Sequence, residues 1–325
     1  MHTVSIVVPC YRGETTLAGL LEEIRPLTEK QDSPEGSPWL VEEAVLVFDG
    51  GSDQLREAIR DLAENYSWVK PVWLTRNFGQ HAATFAGLAY STGQWVVTMD
   101  EDGQHNPADI EKLLDAALAS KKQVVYAKPT NSPKQGWFRN STSTLAKKLA
   151  SQLLDGPEAS LFQSFRLIDG HLARSMAETV GPGVYFDIAL SWFVDKPSTA
   201  NVEWRAGSDR KSGYSVSRLF RHFWMLFLSI GTRTMRGVTV IGITAAVSGT
   251  VLAIYFAVQR LLGSEFPAGW ASQITVTLVS GGLILLSLGL ISEYLGSAVN
   301  RLMGKPTFFS SATNLAQEKG PSPEL

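Results

Sequence analysis

Two stretches of this chain carry no charged side chain, Gly237 to Gln259 and Phe266 to Ser292. Each exceeds the ~20 residues that cross bilayer hydrocarbon as a helix. Gly242, Ser248, Gly249, Ser280, Gly281, Gly282 and Gly289 supply the small side chains that let membrane helices pack closely. A buried hairpin of a soluble protein is the alternative, but it needs a large surrounding core that the residues after Tyr214 are too few to build. Arg218, Arg221, Arg233 and Arg236 precede the first run, Arg301 and Lys305 follow the second, and only Arg260 lies between. The positive-inside rule then predicts a multi-pass protein of the cytoplasmic (inner) membrane with both termini cytosolic. From Val216 to Thr232, Leu219, Phe220, Phe223, Trp224, Phe227 and Leu228 stand opposite Arg218 and Arg221. That pattern suits a helix lying in the membrane interface, beside a lipid surface, although an amphipathic core helix shares the periodicity. The expected organisation is a domain over 1–214, a juxtamembrane amphipathic helix over 215–235, a two-helix transmembrane hairpin over 236–300 and a cytosolic tail over 301–325.

Before Tyr214 the sequence alternates strand-like and helical runs: Val4–Pro9, Thr15–Ile24, Glu43–Phe48, Gln54–Asn65, Lys70–Leu74, His81–Tyr90, Trp95–Met99, Pro107–Ser120 and Gln123–Tyr126. Such alternation predicts an α/β fold with a doubly wound, mostly parallel, Rossmann-like sheet. Trp39 and its approach from Ser33 to Pro38 read as an extended loop. With 29 basic and 31 acidic residues the formal charge is -2, so no nucleic-acid partner is implied. Cys10 is the sole cysteine, which excludes an intrachain disulfide and suits a reducing compartment. Val4 to Val8 is short, lacks a basic leader and runs into Pro9, so no signal peptide is expected and the chain is expected to start in the cytoplasm.

Ligands of open α/β sheets collect outside the carboxyl ends of the strands. Four such ends offer Pro9-Cys10-Tyr11-Arg12, Asp49-Gly50-Gly51-Ser52-Asp53, Thr75-Arg76-Asn77-Phe78-Gly79 and Asp100-Glu101-Asp102-Gly103-Gln104-His105. An Asp-x-Asp at a strand end can join a hard cation, Mg²⁺ or Mn²⁺, to the phosphates of a substrate; it can equally be a solvated turn before Asn106-Pro107. Asp49 has the chemistry to accept from a nucleobase, and Gly50 and Gly51 would admit a ribose or phosphate close to the backbone. The same residues also make a turn with an N-cap at Ser52 or Asp53. Arg76 can bridge a phosphate or anchor an acidic partner.

Read together, Val-Val-Pro-Cys-Tyr, Asp-Gly-Gly-Ser, Arg76-Asn77-Phe78-Gly79-Gln80, Met99 to His105 with Pro107, Phe165-Arg166-Leu167, Ser212-Gly213-Tyr214 with Arg218-Leu219, Ile291 to Gly296, and Lys305-Pro306 fall in a recognisable order. Over almost its whole length the chain resembles the GT-A-fold polyprenyl-phosphate glycosyltransferases of the dolichol-phosphate-mannose-synthase type. The resemblance implies that 1–214 is a GT-A glycosyltransferase domain. It implies an inverting, metal-dependent transfer from a nucleotide-sugar donor to a polyprenyl (undecaprenyl-type) phosphate, with assembly into a homo-oligomer as an expected state. By that resemblance Asp100, Asp102 and Gln104 hold Mg²⁺ or Mn²⁺ on the diphosphate, Asp49 meets the base, and Pro9 to Tyr11 border the nucleotide; Gly51, Ser52, Arg76 and Asn77, on the same rim, are further candidates for substrate binding. Arg166, Ser212 and Tyr214 border the acceptor phosphate, and Arg205, Arg210 and Lys211 add positive charge beside it, or form a solvated basic loop. The chain departs from the family pattern at Gly50, at Arg12-Gly13, at Ser164 and at Arg210. Ser164 stands where an acidic residue is usual, yet a lipid phosphate with a second pKa near ~6 is already ionised and needs little help from a base; Asp169 or Asp187 remain candidates for positioning it. Transfer to another membrane lipid acceptor and a non-catalytic nucleotide-binding scaffold are the alternatives.

Overall fold

A computed structural model describes residues 1–131, 161–205 and 269–311, with Thr244 and Val258 between. The chain divides into two units, one made of Met1–Leu226 with Lys305–Leu325, the other of Phe227–Gly304.

Among the described residues the first unit is built on an eight-stranded sheet. Strand β1 (His2–Cys10) lies in its middle, parallel to β3 (Pro38–Phe48) on one side and to β5 (Trp95–Thr98) on the other, and β4 (Val69–Trp73) runs parallel along β3. The central strands read as unbroken apolar runs because both faces are covered. On one face α1 (Leu17–Ile24), α2 (Asp53–Asn65) and α4 (Ile110–Ser120) press Leu17, Leu21, Leu55, Ile59, Ile110 and Leu113 onto Val4, Ile6 and Val8. On the other, α3 (Gln80–Tyr90), α5 (Gly170–Thr179) and α6 (Phe186–Ser191) cover Val7, Val45 and Val47 with Phe85, Leu88, Met176 and Phe186. The two periodicities of the sequence thus become a helix–sheet–helix sandwich, as the alternation predicts.

Three arrangements differ from the sequence expectation. Trp39 is a strand residue: it pairs with His2 in β1 and with Gln31 in β2 (Gln31–Asp32), and it is fully buried. The Pro, Gly and Ser before it suggest a loop, but burying an indole between strand and helices outweighs those local preferences. The sheet then continues through β7 (Arg166–Asp169), which lies antiparallel between β5 and β6 (Val124–Pro129), with β8 (Ser198–Val202) parallel to β6 at the edge. The third is the segment after Gly304, which docks on the first unit. Ser310 forms an antiparallel bridge with Leu74, Thr75 N–H donates to the Phe309 carbonyl (3.0 Å), and Ser311 N–H donates to that of Trp73 (2.8 Å). The Thr307 hydroxyl donates to the Val180 carbonyl (2.8 Å), the hydroxyls of Ser310 and Tyr90 lie 2.6 Å apart, and Phe308 packs into the α3-side core.

In the second unit, α7 (Trp270–Leu302) contains most of the second uncharged run. Among the described residues no helix is long and apolar enough to cross a membrane. Part of the α7 side chains and nearly all of the first uncharged run lie outside that description, as do the expected amphipathic helix over 215–235 and the site residues Arg210, Ser212 and Tyr214.

Replacing Trp39 tests its place in the core. Trp39→Ala is expected to cost about 3–5 kcal/mol of stability, as large-to-small core changes do, whereas a loop residue would cost under ~0.5 kcal/mol; denaturant unfolding of the purified protein measures the difference.

Candidate active site

The parallel strands β1, β3, β4 and β5 end on one side of the sheet, and the loops that follow them are tied together by side chains. Asp49, just past β3, accepts from Phe78 N–H at 2.6 Å and Gly79 N–H at 2.9 Å in the loop after β4. Ser52 caps α2 by accepting from Leu55 N–H (3.2 Å) while its hydroxyl donates to Glu14 in the loop after β1 (2.7 Å). Gly50 has φ +69°, and a Cβ there would lie 2.6 Å from the Asn77 amide nitrogen, so the two loops touch only because this residue has no side chain. The family departure at Gly50 is therefore consistent with this backbone. Asp49 is nearly inaccessible; burial pushes its carboxyl up to about 6, against the two amides, which favour the anion. Tyr11 and Arg76 are exposed on this rim, Arg76 with its guanidinium 4.2 Å from the Phe78 ring centre, and Asn77 is exposed beside it.

The acidic turn after β5 fixes its carboxylates in different directions. Asp100 accepts from the Gln80 side-chain amide (2.7 Å) and from the Ser164 hydroxyl (2.5 Å). Asp102 accepts from the backbone N–H of Gln104 (3.1 Å). Asp100 N–H donates to Nδ1 of His105 (3.2 Å), whose ring stacks on Phe165 at 5.0 Å. Burial lowers the His105 pKa, which agrees with an Nδ1 that accepts. His105 is thus a packed, neutral imidazole. Burial raises the Asp102 pKa, and the Asp100 charge raises it further. Among the described residues no three His, Cys, Asp or Glu side chains converge as a metal-binding group. Two carboxylates, with phosphate oxygens and water completing the sphere, fit Mg²⁺ or Mn²⁺, which keep such mixed shells.

Beside Asp100 opens a pocket of about 210 Å³, lined by Gln80, His81, Phe162, Ser164, Arg166, Tyr185 and Asp187 among others. His81 and Tyr185 meet ring to ring at 4.2 Å on its wall. At its floor Arg166 is only 4% exposed. Its Nε donates to the Thr98 hydroxyl (2.9 Å), its NH1 donates to Asp187, and its guanidinium lies 4.1 Å over the Phe186 ring. Tyr126 also donates to Asp187, at 2.9 Å. Burial opposes the charge on Arg166, but Asp187 more than offsets it, so the guanidinium pKa is raised. Arg166 therefore presents a fixed, charged floor rather than a free arm. Arg205 donates from NH1 to both Glu23 oxygens (2.7 Å each) and from NH2 to Asn106 (2.9 Å), while its backbone N–H donates to the Gln104 carbonyl (3.1 Å). It thus braces the acidic turn. In the sequence Gln80 stands only as part of a motif and Ser164 only as a departure from one; their hydrogen bonds to Asp100 join residues far apart in the chain, which no spacing rule reveals.

Residues 5–174 match the family model described as "Glycosyl transferase family 2". The chain belongs to that family. It is a glycosyltransferase, as its fold and acidic turn suggest. Among curated relatives it is 26% identical over 309 residues to the undecaprenyl-phosphate 4-deoxy-4-formamido-L-arabinose transferase of Serratia proteamaculans, covering 94% of this chain and 92% of that protein. It is 27% identical over 316 residues to the enzyme of the same name from Photorhabdus laumondii, covering 94% and 92%. Among solved structures it resembles the glucosyl-3-phosphoglycerate synthase of Mycobacterium tuberculosis in complex with Mn²⁺, UDP-glucose and phosphoglyceric acid, at TM-score 0.51 and 19% identity, covering 72% of this chain and 80% of that one. That likeness establishes the GT-A-like fold.

Two measurements check this geometry. Because the folded-state Asp49 pKa of about 6 lies above the ordinary value of 3.8, the folded protein binds the extra proton. Its contribution to stability is fully present below pH ~3.8, falls as pH rises through ~6, and is flat above. Asp49→Asn is expected to remove that slope in denaturant midpoints taken across this window, and carboxyl-carbon NMR should place the wild-type midpoint near 6. Arg166→Met, which leaves Asp187 buried without its cation, is expected to cost about 3–5 kcal/mol, and Asp187→Asn alone to cost less.

Proposed function

We propose that this protein transfers a glycosyl group from a nucleotide sugar to the phosphate of a polyprenyl, undecaprenyl-type lipid, with inversion at the anomeric carbon. The observation that carries this reading is the position of Asp100, which belongs to the acidic turn and also lines the pocket floored by Arg166. The curated relatives, matched over nearly their whole length, bear names of undecaprenyl-phosphate sugar transferases.

In this mechanism the loops containing Pro9 to Tyr11, Asp49 to Ser52 and Arg76-Asn77 hold the nucleotide, and Asp100, Asp102 and Gln104 would hold Mg²⁺ or Mn²⁺ against its diphosphate. When bound, that ion supplies Lewis-acid stabilisation of the leaving group, a term commonly worth several kcal/mol. The donor sugar enters the pocket beside Asp100, and the charged guanidinium of Arg166 at its floor favours the anionic acceptor. One phosphate oxygen of the lipid attacks the anomeric carbon from the side opposite the diphosphate. As the new C–O–P link forms, the old glycosidic C–O bond breaks and its electron pair departs with the nucleoside diphosphate. The attacking oxygen is already ionised near neutral pH, so no side chain must remove a proton. Ser164 donates its hydroxyl to Asp100. Transmembrane segments over 236–300 and an interfacial helix over 215–235 would keep this site beside the membrane in which the acceptor diffuses, with Ser212, Tyr214 and Arg210 near the lipid phosphate.

Purified protein in detergent, given UDP-, GDP- and CDP-sugars with undecaprenyl phosphate, is expected to form a glycolipid that mild acid cleaves, and chelator is expected to stop it. A product resistant to mild acid would instead indicate another membrane lipid acceptor. Asp100→Ala is expected to lower turnover by about a thousandfold, the equivalent of ~4 kcal/mol, while the protein stays folded.

A further inference from the structure

Glu101, between the two aspartates of the acidic turn, does something neither of them does. Its Oε2 accepts from the backbone N–H of Tyr11 at 3.0 Å and its Oε1 from that of Arg12 at 2.8 Å. Its own carbonyl accepts from the Thr16 hydroxyl at 2.6 Å. A Cβ built on Gly13 would fall 2.4 Å from Glu101 Oε2 and 3.0 Å from Leu17. The carboxylate therefore occupies the space that any side chain at position 13 would take. On the opposite side, the Tyr11 carbonyl would lie 2.7 Å from a Cβ on Gly51, so the loop after β1 is wedged between the acidic turn and the turn after β3.

We propose that Glu101 is a positioning residue for the nucleotide: by holding the Tyr11 and Arg12 amides in the gap left by Gly13, it makes the base-side loop and the diphosphate-side turn one rigid unit. The inference rests on the transferase reading above only where it names the ligand. The coupling between Glu101 and Gly13 is a property of the folded chain itself. Two charge-assisted amide bonds to a part-buried carboxylate are stronger than neutral ones, and neither loop is otherwise held by strand pairing at these positions. Losing them frees Tyr11 and Arg12 and leaves the nucleotide loop to be ordered when ligand binds, which lowers affinity more than turnover.

The test uses the full-length protein with Glu101→Ala, Glu101→Gln, Gly13→Ala and the double variant Glu101→Ala/Gly13→Ala. Amide hydrogen exchange at Tyr11 and Arg12 is expected to quicken about tenfold or more in Glu101→Ala and to an intermediate degree in Glu101→Gln, which keeps one acceptor oxygen. Gly13→Ala should destabilise the wild-type protein yet add little to Glu101→Ala, because the methyl then enters vacated space; this non-additivity is the signature of contact. Titration with UDP and with GDP should show a dissociation constant raised about tenfold in Glu101→Ala, with the turnover number falling far less. Unchanged exchange at both amides, or strictly additive effects of the two substitutions, would overturn the proposal, as would a turnover loss like that of Asp100→Ala with nucleotide affinity intact. Exchange and additivity are read without donor, so they decide the matter even if no nucleotide binds to any variant, an outcome that would instead defeat the transferase reading.

Discussion

Carboxylates turned onto the backbone amides of a neighbouring loop hold the working end of this fold together. A parallel sheet fixes where its strands stop, but the loops beyond have no ladder to complete their hydrogen bonds. Asp49 supplies two bonds to the loop after β4, and Glu101 supplies two to the loop after β1. Gln80 reaches from the start of α3 to Asp100, and Ser52 reaches from the cap of α2 to Glu14. The same device recurs before β3, where Asp115 accepts from the Ser33 hydroxyl at 2.5 Å and the Glu35 amide at 3.2 Å. Each such bond is local in energy, yet together they link four loops into a closed ring around the place where a nucleotide diphosphate would lie.

This arrangement gives the acidic residues at the strand ends more than one task. Asp49 invites assignment to a nucleobase, and its chemistry suits that, but both of its oxygens are engaged by backbone. Asp100 is braced by neutral donors, the Gln80 amide and the Ser164 hydroxyl, whereas Asp187 is paired with Arg166 at the pocket floor. Asp100 of the turn and the Arg166–Asp187 pair thus border one pocket.

Much of this was legible in the sequence wherever neighbours in the chain are neighbours in space. The alternating periods give the parallel strands and covering helices, and the residues at each strand end follow directly. What stayed hidden depends on non-local pairing. Arg166 is readable as a motif residue, but its burial against Asp187 follows from β7 inserting antiparallel between β5 and β6, a register no periodicity encodes. Trp39 was obscured by the turn-forming residues before it. Gly13 looks like a lost side chain until Glu101 is seen in its place.

The docking of Phe308 to Ser311 along β4 constrains the path of everything that precedes it. Residues up to Arg205 and residues 305–311 belong, as far as they are described, to one folded body, bridged at Leu74 and Ser310. Whatever the intervening chain does, it must bring its end back to the compartment from which it set out. Any passage through a bilayer between those points would then need an even number of traverses.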